Sequence, residues 1–349
     1  DQICQSVKPR AVVVFNGLMY PEAVARAIAL RHDIPVVTHE VGIKPLSAYF
    51  SHAHATFREQ ELPDGFALTK AQDQELDASL KERRQGRFNM AGVRFWPEMA
   101  PLPDRINQRL TGHRRLVTVF TNVVFDTSQV HANTIYSDMF GWLEDVFAAV
   151  QTHPDILFVI RAHPDENRPG KVSRESVEKW VEKRGLSDLE NVTFISPREY
   201  VSSYELLEQS EFVLVYNSSI GLEAAILGIP VLCAGRSRYA KLPAVNLPAS
   251  KQSFRTQLEA WLNGEVKKVR PEHVANARAF LYSELNYASL DFSEHLEPYR
   301  LLPGMVTFRP FDPSRLAASP ALRVITRGIL EHKPFMQSTD VISSSLGST

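Results

Sequence analysis

The segment of residues 211–235, EFVLVYNSSIGLEAAILGIPVLCAG, constrains the fold more than any other part of the chain. Its first apolar run, residues 212–216, is typical of a parallel strand that is covered on both faces of a sheet. A polar triplet, residues 217–219, follows where a short helix must begin, and a Gly-x-Pro sequence at residues 228–230 ends that helix. A second buried strand starts at Val231. This order predicts polar side chains and backbone amides at the carboxyl end of a parallel strand, where α/β proteins bind anions.

Two interpretations of this helix start are open. Ser218 and Ser219 are ordinary helix-capping residues, and a cap contributes ~1 kcal/mol in proteins that bind no ligand there. Glu223 does not fit a reciprocal capping box, because that box needs its acid three residues after the cap. An acid close to a phosphate site is instead well placed to accept hydrogen bonds from ribose hydroxyls. We therefore predict a phosphate-containing ligand, with simple capping as the alternative.

Composition excludes several classes of function. The chain has 39 basic and 40 acidic residues among 349, so no global basic field indicates nucleic acid. Only Cys4 and Cys233 are present, which excludes a disulfide framework and a cysteine-based zinc site and suits a reducing cytoplasm. No apolar run approaches the ~20 residues of a membrane span. We expect a cytoplasmic protein whose membrane contact would be peripheral, at the inner face of the membrane.

Strands alternate with helices along most of the chain, which predicts an α/β fold with doubly wound, mostly parallel sheets. A proline-rich stretch, residues 97–103, separates two such series. We expect two Rossmann-like domains that face a cleft, followed by a tail that packs back on the first domain. The expected boundaries are 1–112, 113–285 and 286–349. Asp1 begins the chain and the first strand follows almost at once, so we expect the first domain to be incomplete.

The polar clusters of the chain all follow predicted parallel strands. They are Asn16, the pair His39 and Glu40, Thr121 with Asn122, Arg161 with His163, Ser196, and residues 217–219. Because the carboxyl ends of parallel strands share one edge of a sheet, this pattern predicts a single cleft. Arg161 is a candidate phosphate ligand, since a guanidinium binds phosphate through two parallel hydrogen bonds. The alternatives are that His163 caps its own loop against Asp165 or Glu166 and that Arg161 pairs with Glu166.

Several catalytic motifs are absent from the sequence, among them G-x-G-x-x-G, the Walker loop, H-E-x-x-H and an Asp-rich metal run. One near match is the nucleophile elbow of serine hydrolases, G-x-S-x-G. Residues 217–221 have its strand–turn–helix context, but Asn217 replaces the first glycine, which that strained turn requires. A serine hydrolase is therefore a minor alternative.

A combination of motifs resembles the capsular-polysaccharide glycosyltransferases. These motifs are F-T-N-V-V-F-D at 120–126, R-x-H-P-x-E at 161–166, Y-E-L-L at 204–207, Y-N-S-S-x-G-x-E-A-A-x-x-G-x-P-V at 216–231 and G-x-x-x-Y at 235–239. That family has the GT-B fold and is related to bacterial Kdo transferases and, more distantly, to UDP-sugar 2-epimerases. The resemblance covers most of residues 11–240 and is strongest after residue 110. The epimerases carry paired acids where this chain has a lone Glu223, which argues against epimerisation.

The resemblance implies a metal-independent transfer, without a cofactor, of a sugar from a CMP- or UDP-linked donor to a polysaccharide or glycolipid acceptor in bacterial surface-polysaccharide synthesis. The donor would contact the second domain, through Asn122, Arg161, His163, Tyr204, Asn217, Ser218, Ser219, Gly221 and Glu223. Glu40 is the first candidate for the general base and His39 the second. The alternative for Glu40 is a structural carboxylate that binds loop amides. The rival function is a non-catalytic sugar-binding component of a polysaccharide assembly complex.

Overall fold

The computed structural model describes residues 1–58, 62, 65–84, 99–167, 174–299, 305–310 and 312–337. The described residues form two compact units. The first unit contains those up to residue 62 and those from residue 280 onward, and the second contains the described residues between 65 and 279.

The strands and helices are numbered along the chain. The strands are β1 Val12–Phe15, β2 Val36–Val41, β3 Ser47–Ser51, β4 Arg115–Phe120, β5 Ile156–Arg161, β6 Val192–Ile195, β7 Phe212–Val215, β8 Val231–Cys233, β9 Val245–Asn246, β10 Leu290–Asp291, β11 Leu296–Pro298 and β12 Val306–Phe308. The α-helices are α1 Gln2–Val7, α2 Glu22–Arg31, α3 Lys70–Arg84, α4 Asp104–Thr111, α5 Met139–Thr152, α6 Val177–Arg184, α7 Ser203–Gln209, α8 Ile220–Ile226, α9 Lys251–Leu262, α10 Pro271–Ser283, α11 Pro313–Ala318 and α12 Pro320–Glu331. A π-helix, Glu284–Ala288, continues α10.

The second unit is built on a six-stranded parallel sheet in the order β6-β5-β4-β7-β8-β9. Counted from β4, this is the order 3-2-1-4-5-6 of the Rossmann fold. The direction of winding reverses between β4 and β7, so the connections that leave these two strands diverge at their carboxyl ends. The predicted α/β class with a doubly wound sheet is confirmed in this unit.

Burial explains why the strands of the second unit read as continuous apolar runs. Every residue of β5 and β7 is buried, because helices cover both faces of the sheet. On one face, Trp142 of α5 lies fully buried against the ring of Tyr216. Phe212 of β7 packs edge-to-face on Trp261 of α9, with ring centroids 5.1 Å apart. This core fixes the strand ends that carry the candidate site.

The sheet of the first unit differs from the expected Rossmann-like pattern. Its order is β1-β2-β3-β10, and only β1 and β2 are parallel. Strand β3 runs antiparallel to β2 because only residues 42–46 join them, whereas a parallel return needs a crossover of a dozen or more residues. The turn is tight: a β-carbon on Gly42 would lie 2.1 Å from the Ser47 hydroxyl.

The residues after 285 contribute to the first unit. Strand β10 pairs antiparallel with β3. Ala321 of α12 and Phe335 are buried in one cluster with Val37 and Phe50. The sequence predicts a late helix near residues 321–330, and this helix is observed as α12, held by the same packing.

The division expected near residue 112 lies inside the second unit. Helix α3 is attached there through Asp73, whose carboxylate lies 2.6 Å from the Arg278 guanidinium of α10. Arg109 of α4 donates a 3.2 Å hydrogen bond to the Leu189 carbonyl. These contacts join both helices to other parts of the second unit. The sequence predicts an exposed, charge-rich helix over about residues 69–87, which is observed as α3. Its predicted end and Pro97 fall in residues 85–98, which lie outside the described residues.

Within the described part of the chain, no helix combines the length and apolarity that a membrane crossing needs. The same residues contain no group of three His, Cys, Asp or Glu side chains arranged to hold a metal ion.

Candidate functional site

The carboxyl ends of β4 and β7 lie side by side where the winding of the sheet reverses. Phe120 pairs with Val215 in the strand register, so the residues that follow each strand are neighbours. The backbone amide of Asn217 donates a 3.3 Å hydrogen bond to the side-chain oxygen of Asn122. In open α/β sheets this crevice is the usual position of a ligand.

Asn122 and Asn217 shape this edge from within the protein. Both are buried, and the side-chain amide group of Asn217 makes two further hydrogen bonds. Its oxygen accepts from Gln129 Nε2 at 2.9 Å, and its nitrogen donates to the Ser128 carbonyl at 2.8 Å. The two asparagines, predicted as donor ligands, therefore hold the loop after β4 against the start of α8. In the sequence, Asn217 was indicated by the N-S-S turn and Asn122 by its place after the strand that ends at Phe120, but neither signal revealed these partners.

The two serines at the start of α8 are arranged differently from the expected cap. Ser219 is the N-cap residue, yet its side chain makes no capping hydrogen bond, and its φ and ψ of −59° and −21° are already helical. The helix instead begins with backbone bonds of 3.1 Å from Gly221 to Ser218 and from Leu222 to Ser219. Ser219 is exposed and Ser218 is half-buried. Their hydroxyls are thus not used to cap the helix, which leaves them at the sheet edge.

Gly221 is explained by a tyrosine rather than by a ligand. A β-carbon at this position would lie 2.4 Å from the hydroxyl oxygen of Tyr239. That hydroxyl donates to the carbonyl of Ser218. Burial raises the pKa of Tyr239 well above its usual value, so the phenol stays protonated and continues to donate. The G-x-x-x-Y motif at 235–239 therefore holds the serine turn in place.

Arg161, the predicted phosphate ligand, is the last residue of β5 and binds protein groups. Its side chain is 3% exposed. Its Nε donates to the Ser203 hydroxyl and its Nη2 to the Val201 carbonyl, each at 3.0 Å. Burial lowers the pKa of Arg161 to about 10, which leaves it charged at neutral pH. The guanidinium therefore anchors the loop before α7, and its contact with a phosphate stays a prediction.

His163 caps its own loop, as the alternative interpretation proposed. The backbone amide of Asp165 donates to His163 Nδ1 at 3.2 Å. Burial lowers the pKa of His163 and the charge of Arg161 acts in the same direction, so the imidazole is neutral at neutral pH. Because Nδ1 accepts a hydrogen bond, the proton of the neutral ring resides on Nε2.

Glu166, the alternative partner of Arg161, points elsewhere. Its carboxylate oxygens lie 3.2 and 3.3 Å from the backbone amide of Val177, the first residue of α6. The side chain is buried, and burial raises the pKa of Glu166 to about 7. Glu166 therefore ties the His163 loop to the start of a neighbouring helix.

Glu223 belongs to a cluster that the sequence only half revealed. Its Oε2 accepts from the hydroxyl of Tyr204, and its Oε1 lies 2.9 Å from Nη2 of Arg83. Burial, aided by the Glu223 charge, raises the pKa of Tyr204, which keeps the phenol neutral. The guanidinium of Arg84 lies 5.6 Å from the centroid of the Tyr204 ring. Sequence reasoning placed Tyr204 and Glu223 together but took α3 for an exposed, charge-rich helix and missed both arginines.

In the first unit, His39 and Glu40 lie within β2 and not beyond its end. The apolar run of residues 34–38 predicts a strand that ends at Thr38, whereas β2 continues to Val41. Consecutive strand residues point to opposite faces, so the two side chains cannot act from the same side. His39 lies between the rings of Phe15 and Phe50, at 5.3 and 5.4 Å, and burial lowers its pKa.

Glu40 binds protein donors, which matches its structural alternative. Its Oε1 accepts from the Val41 amide at 2.8 Å, and its Oε2 accepts from the side-chain amide of Asn16. The same Asn16 nitrogen also donates to the Thr56 hydroxyl at 2.9 Å. Asn16, Glu40 and Thr56 thus form a second polar cluster, at the carboxyl end of the parallel pair β1 and β2. Thr56 carried no signal in the sequence.

Residues 101–260 match the family model described as capsule polysaccharide biosynthesis protein. This segment is similar to that family. The match confirms the resemblance carried by the motifs after residue 110, and it contains the sheet and every site residue of the second unit except Arg83 and Arg84.

A curated relative and several solved structures are also similar to the chain. Protein FixF of Sinorhizobium fredii is 25% identical over 239 residues, and the match covers 65% of this chain. The chain spans about half the length of that relative, 49%. The beta Kdo 2,4 transferase of Thermosulfurimonas dismutans KpsC has a TM-score of 0.49 at 17% identity, covering 82% of each chain. The UDP-GlcNAc 2-epimerase of Neisseria meningitidis has a TM-score of 0.38 at 15% identity, covering 81% of this chain and 78% of its own.

Proposed function

We propose that this protein is a glycosyltransferase of capsule or surface polysaccharide synthesis that binds a nucleotide-sugar donor, CMP- or UDP-linked, in its second unit. The observation that carries the proposal is the sheet edge between β4 and β7. The strand order at this edge is that of the Rossmann fold, and two serine hydroxyls lie there that do not cap the helix. The edge belongs to the segment that matches the capsule polysaccharide biosynthesis family. A donor phosphate suits this edge because the amides at the start of α8 and the serine hydroxyls are hydrogen-bond donors.

Within this proposal, the groups at the edge have separate tasks. Ser218 and Ser219 bind the phosphate, and His163 donates from Nε2 to a leaving phosphate oxygen without changing its charge. Glu223 accepts from a ribose hydroxyl, since a carboxylate has about four acceptor positions and two protein donors occupy only part of them. A comparison of ribo- with 2′-deoxynucleotide affinity in Glu223→Gln tests that contact.

The acceptor hydroxyl needs a base, which we propose to come from the first unit. Glu40 is the first candidate and His39 the second. His39 is neutral at neutral pH because burial lowers its pKa, so it is able to take a proton. Glu40 would act with its carboxylate oriented by Asn16 and by the Val41 amide. We propose that the transfer needs no metal, which is tested by full activity after chelation with EDTA.

The primary experiment combines binding with turnover. CMP-, UDP- and GDP-sugars are screened by thermal shift, since a ligand that binds only the folded state raises the melting temperature. The donor that binds is then incubated with saccharide and glycolipid acceptors, and released nucleotide is measured. Stabilisation by a nucleotide-sugar and acceptor-dependent release support the proposal. A failure of every nucleotide-sugar to bind would overturn it.

A non-catalytic, sugar-binding role is the second candidate. It is favoured by one observation, the engagement of both Glu40 oxygens with protein donors. The two functions differ in turnover: a binding component would show donor affinity without nucleotide release in the presence of any acceptor.

A location at an anionic membrane surface remains a proposal, supported by the hairpin of β11 and β12. Its residues Met305, Val306 and Phe308 are 53%, 44% and 83% exposed. Residues 305–333 carry five basic and two acidic side chains, a balance that complements anionic lipid. Flotation with vesicles containing anionic lipid should be lost in Met305→Ser with Phe308→Ser and kept in the exposed control Leu30→Ser. Equal flotation of the two variants would contradict this surface.

A further inference from the structure

The last two described residues of helix α3 are arginines with different environments. Arg83 faces the protein: its side chain is 14% exposed and lies 2.9 Å from Glu223, which is 9% exposed. Arg84 is exposed, and its guanidinium lies over the ring of Tyr204. Successive helical residues point about 100° apart, so one arginine binds α8 while the next faces solvent at the same end of the helix.

The charges in this cluster do not cancel. Glu223 supplies one negative charge, and its ion-pair partner is Arg83. Tyr204 is neutral because burial raises its pKa. Among the residues described, no carboxylate forms an ion pair with Arg84. An arginine on an aromatic face keeps its in-plane N–H groups available, which is the geometry used for binding planar or tetrahedral anions.

The position of Arg84 relative to the serines follows from helix geometry. Glu223 comes four residues after Ser219, so both side chains lie on the same face of α8, about one turn apart. Helical side chains also lean toward the N-terminus, which brings Glu223 closer to the serine end. Tyr204, bonded to Glu223, and Arg84, over the Tyr204 ring, therefore flank the helix face that starts at Ser219.

We infer that Arg84 is the cation that binds the phosphate of the nucleotide-sugar donor. It takes the part that the sequence assigned to Arg161, whose guanidinium is buried on Val201 and Ser203. Tyr204 orients the Arg84 side chain, and the Arg83–Glu223 pair attaches the end of α3 to α8. The inference deepens the proposed function and rests on it.

The test compares the affinity for the nucleotide-sugar found in the thermal-shift screen, measured by calorimetry at low and high salt. Arg84→Gln should weaken binding about 10- to 100-fold, the loss expected for charge-assisted hydrogen bonds. Arg84→Lys should recover part of that loss, because it restores the charge without the planar fork. Tyr204→Leu should weaken binding as well, since it removes the ring that orients Arg84.

Arg114→Gln is the matched control. Arg114 is an exposed arginine of the same unit, paired with Asp155 and next to the amino end of β4, at the opposite edge of the sheet. Its variant should bind the donor like the wild type. If Arg84→Gln also keeps wild-type affinity while the wild type binds, Arg84 is not the phosphate ligand and the proposed function stands. If the wild type binds no nucleotide-sugar, the proposed function and this inference both fail.

Discussion

The hydroxyl oxygen of Tyr239 occupies the space that a side chain at Gly221 would need, 2.4 Å from the position of its β-carbon. The same hydroxyl donates to the carbonyl of Ser218. One tyrosine therefore decides both the identity of a helix residue and the position of the serine turn. The motif residues Gly221 and Tyr239 are one structural device, although they are 18 positions apart in sequence.

Gly221→Ala should destabilise the fold, because the new methyl group has to displace a buried phenol. Overpacking of this kind costs about 1–3 kcal/mol, measured as the free energy of unfolding in urea. Adding Tyr239→Phe should recover part of the loss, since it removes the closest atom. Gly141→Ala is the control: its β-carbon would meet its nearest neighbour at an ordinary 3.5 Å. Equal stability of the two alanine variants would show that position 221 tolerates a side chain.

The double variant Ser218→Ala with Ser219→Ala should weaken nucleotide-sugar binding and leave the fold nearly unchanged. Ser219 makes no capping bond, so its removal should alter the unfolding free energy by no more than about 0.5 kcal/mol. Calorimetry of nucleotide-sugar binding checks the loss of affinity, and urea unfolding of the same variant checks that the stability is kept. A loss of ~1 kcal/mol of stability with unchanged affinity would restore the simple capping interpretation.

Glu166 should make the stability of the protein depend on pH. Its folded-state pKa, about 7, lies above the ordinary 4.5, so the folded protein holds this proton more tightly than the unfolded chain. The stabilising contribution is therefore complete below pH 4.5 and is lost as the pH rises to 7. At 1.36 kcal/mol per pH unit, the loss is roughly 3 kcal/mol.

Glu166→Gln removes this titration while its amide oxygen is still able to accept from Val177. The difference in unfolding free energy between variant and wild type should therefore change by roughly 2.5 kcal/mol between pH 5 and pH 8, in favour of the variant at pH 8. Urea unfolding at the two pH values measures it. Parallel pH profiles for the two proteins would mean that Glu166 has the same pKa in both states.

Glu40→Gln should abolish sugar transfer and leave donor affinity nearly unchanged. A lost general base lowers the rate by ~10²–10⁴-fold, whereas the glutamine keeps an oxygen that Asn16 can donate to. Single-turnover transfer at saturating donor measures the effect, with His39→Ala alongside. If His39→Ala alone loses transfer, the base is His39. Because the pKa of His39 is lowered, the wild-type rate should then fall only below pH 6.5.

The sequence alone determined the elements and the edge of the sheet that carries the polar residues. Continuous apolar runs such as residues 156–160 and 212–216 predict buried parallel strands, because a strand covered on both faces has no polar side. The turn residues after those strands then predict one polar edge. Both predictions depend only on local residue chemistry and periodicity. The motifs after residue 110 are also local in sequence, and they indicated the similarity to the capsule polysaccharide biosynthesis family.

Only the tertiary structure decided which side chain has which partner. Arg161 read as a phosphate ligand, yet burial against Val201 and Ser203 makes it a loop anchor. His39 and Glu40 were predicted to lie together beyond a strand end. Because β2 extends to Val41, both residues belong to the strand and their side chains point to opposite faces. Arg83 reaches Glu223 across 140 positions of sequence, a contact that exists only because α3 folds onto α8. Periodicity reports which face of an element is buried, but the partner across that face is chosen by how distant elements pack, and residue spacing carries no record of it.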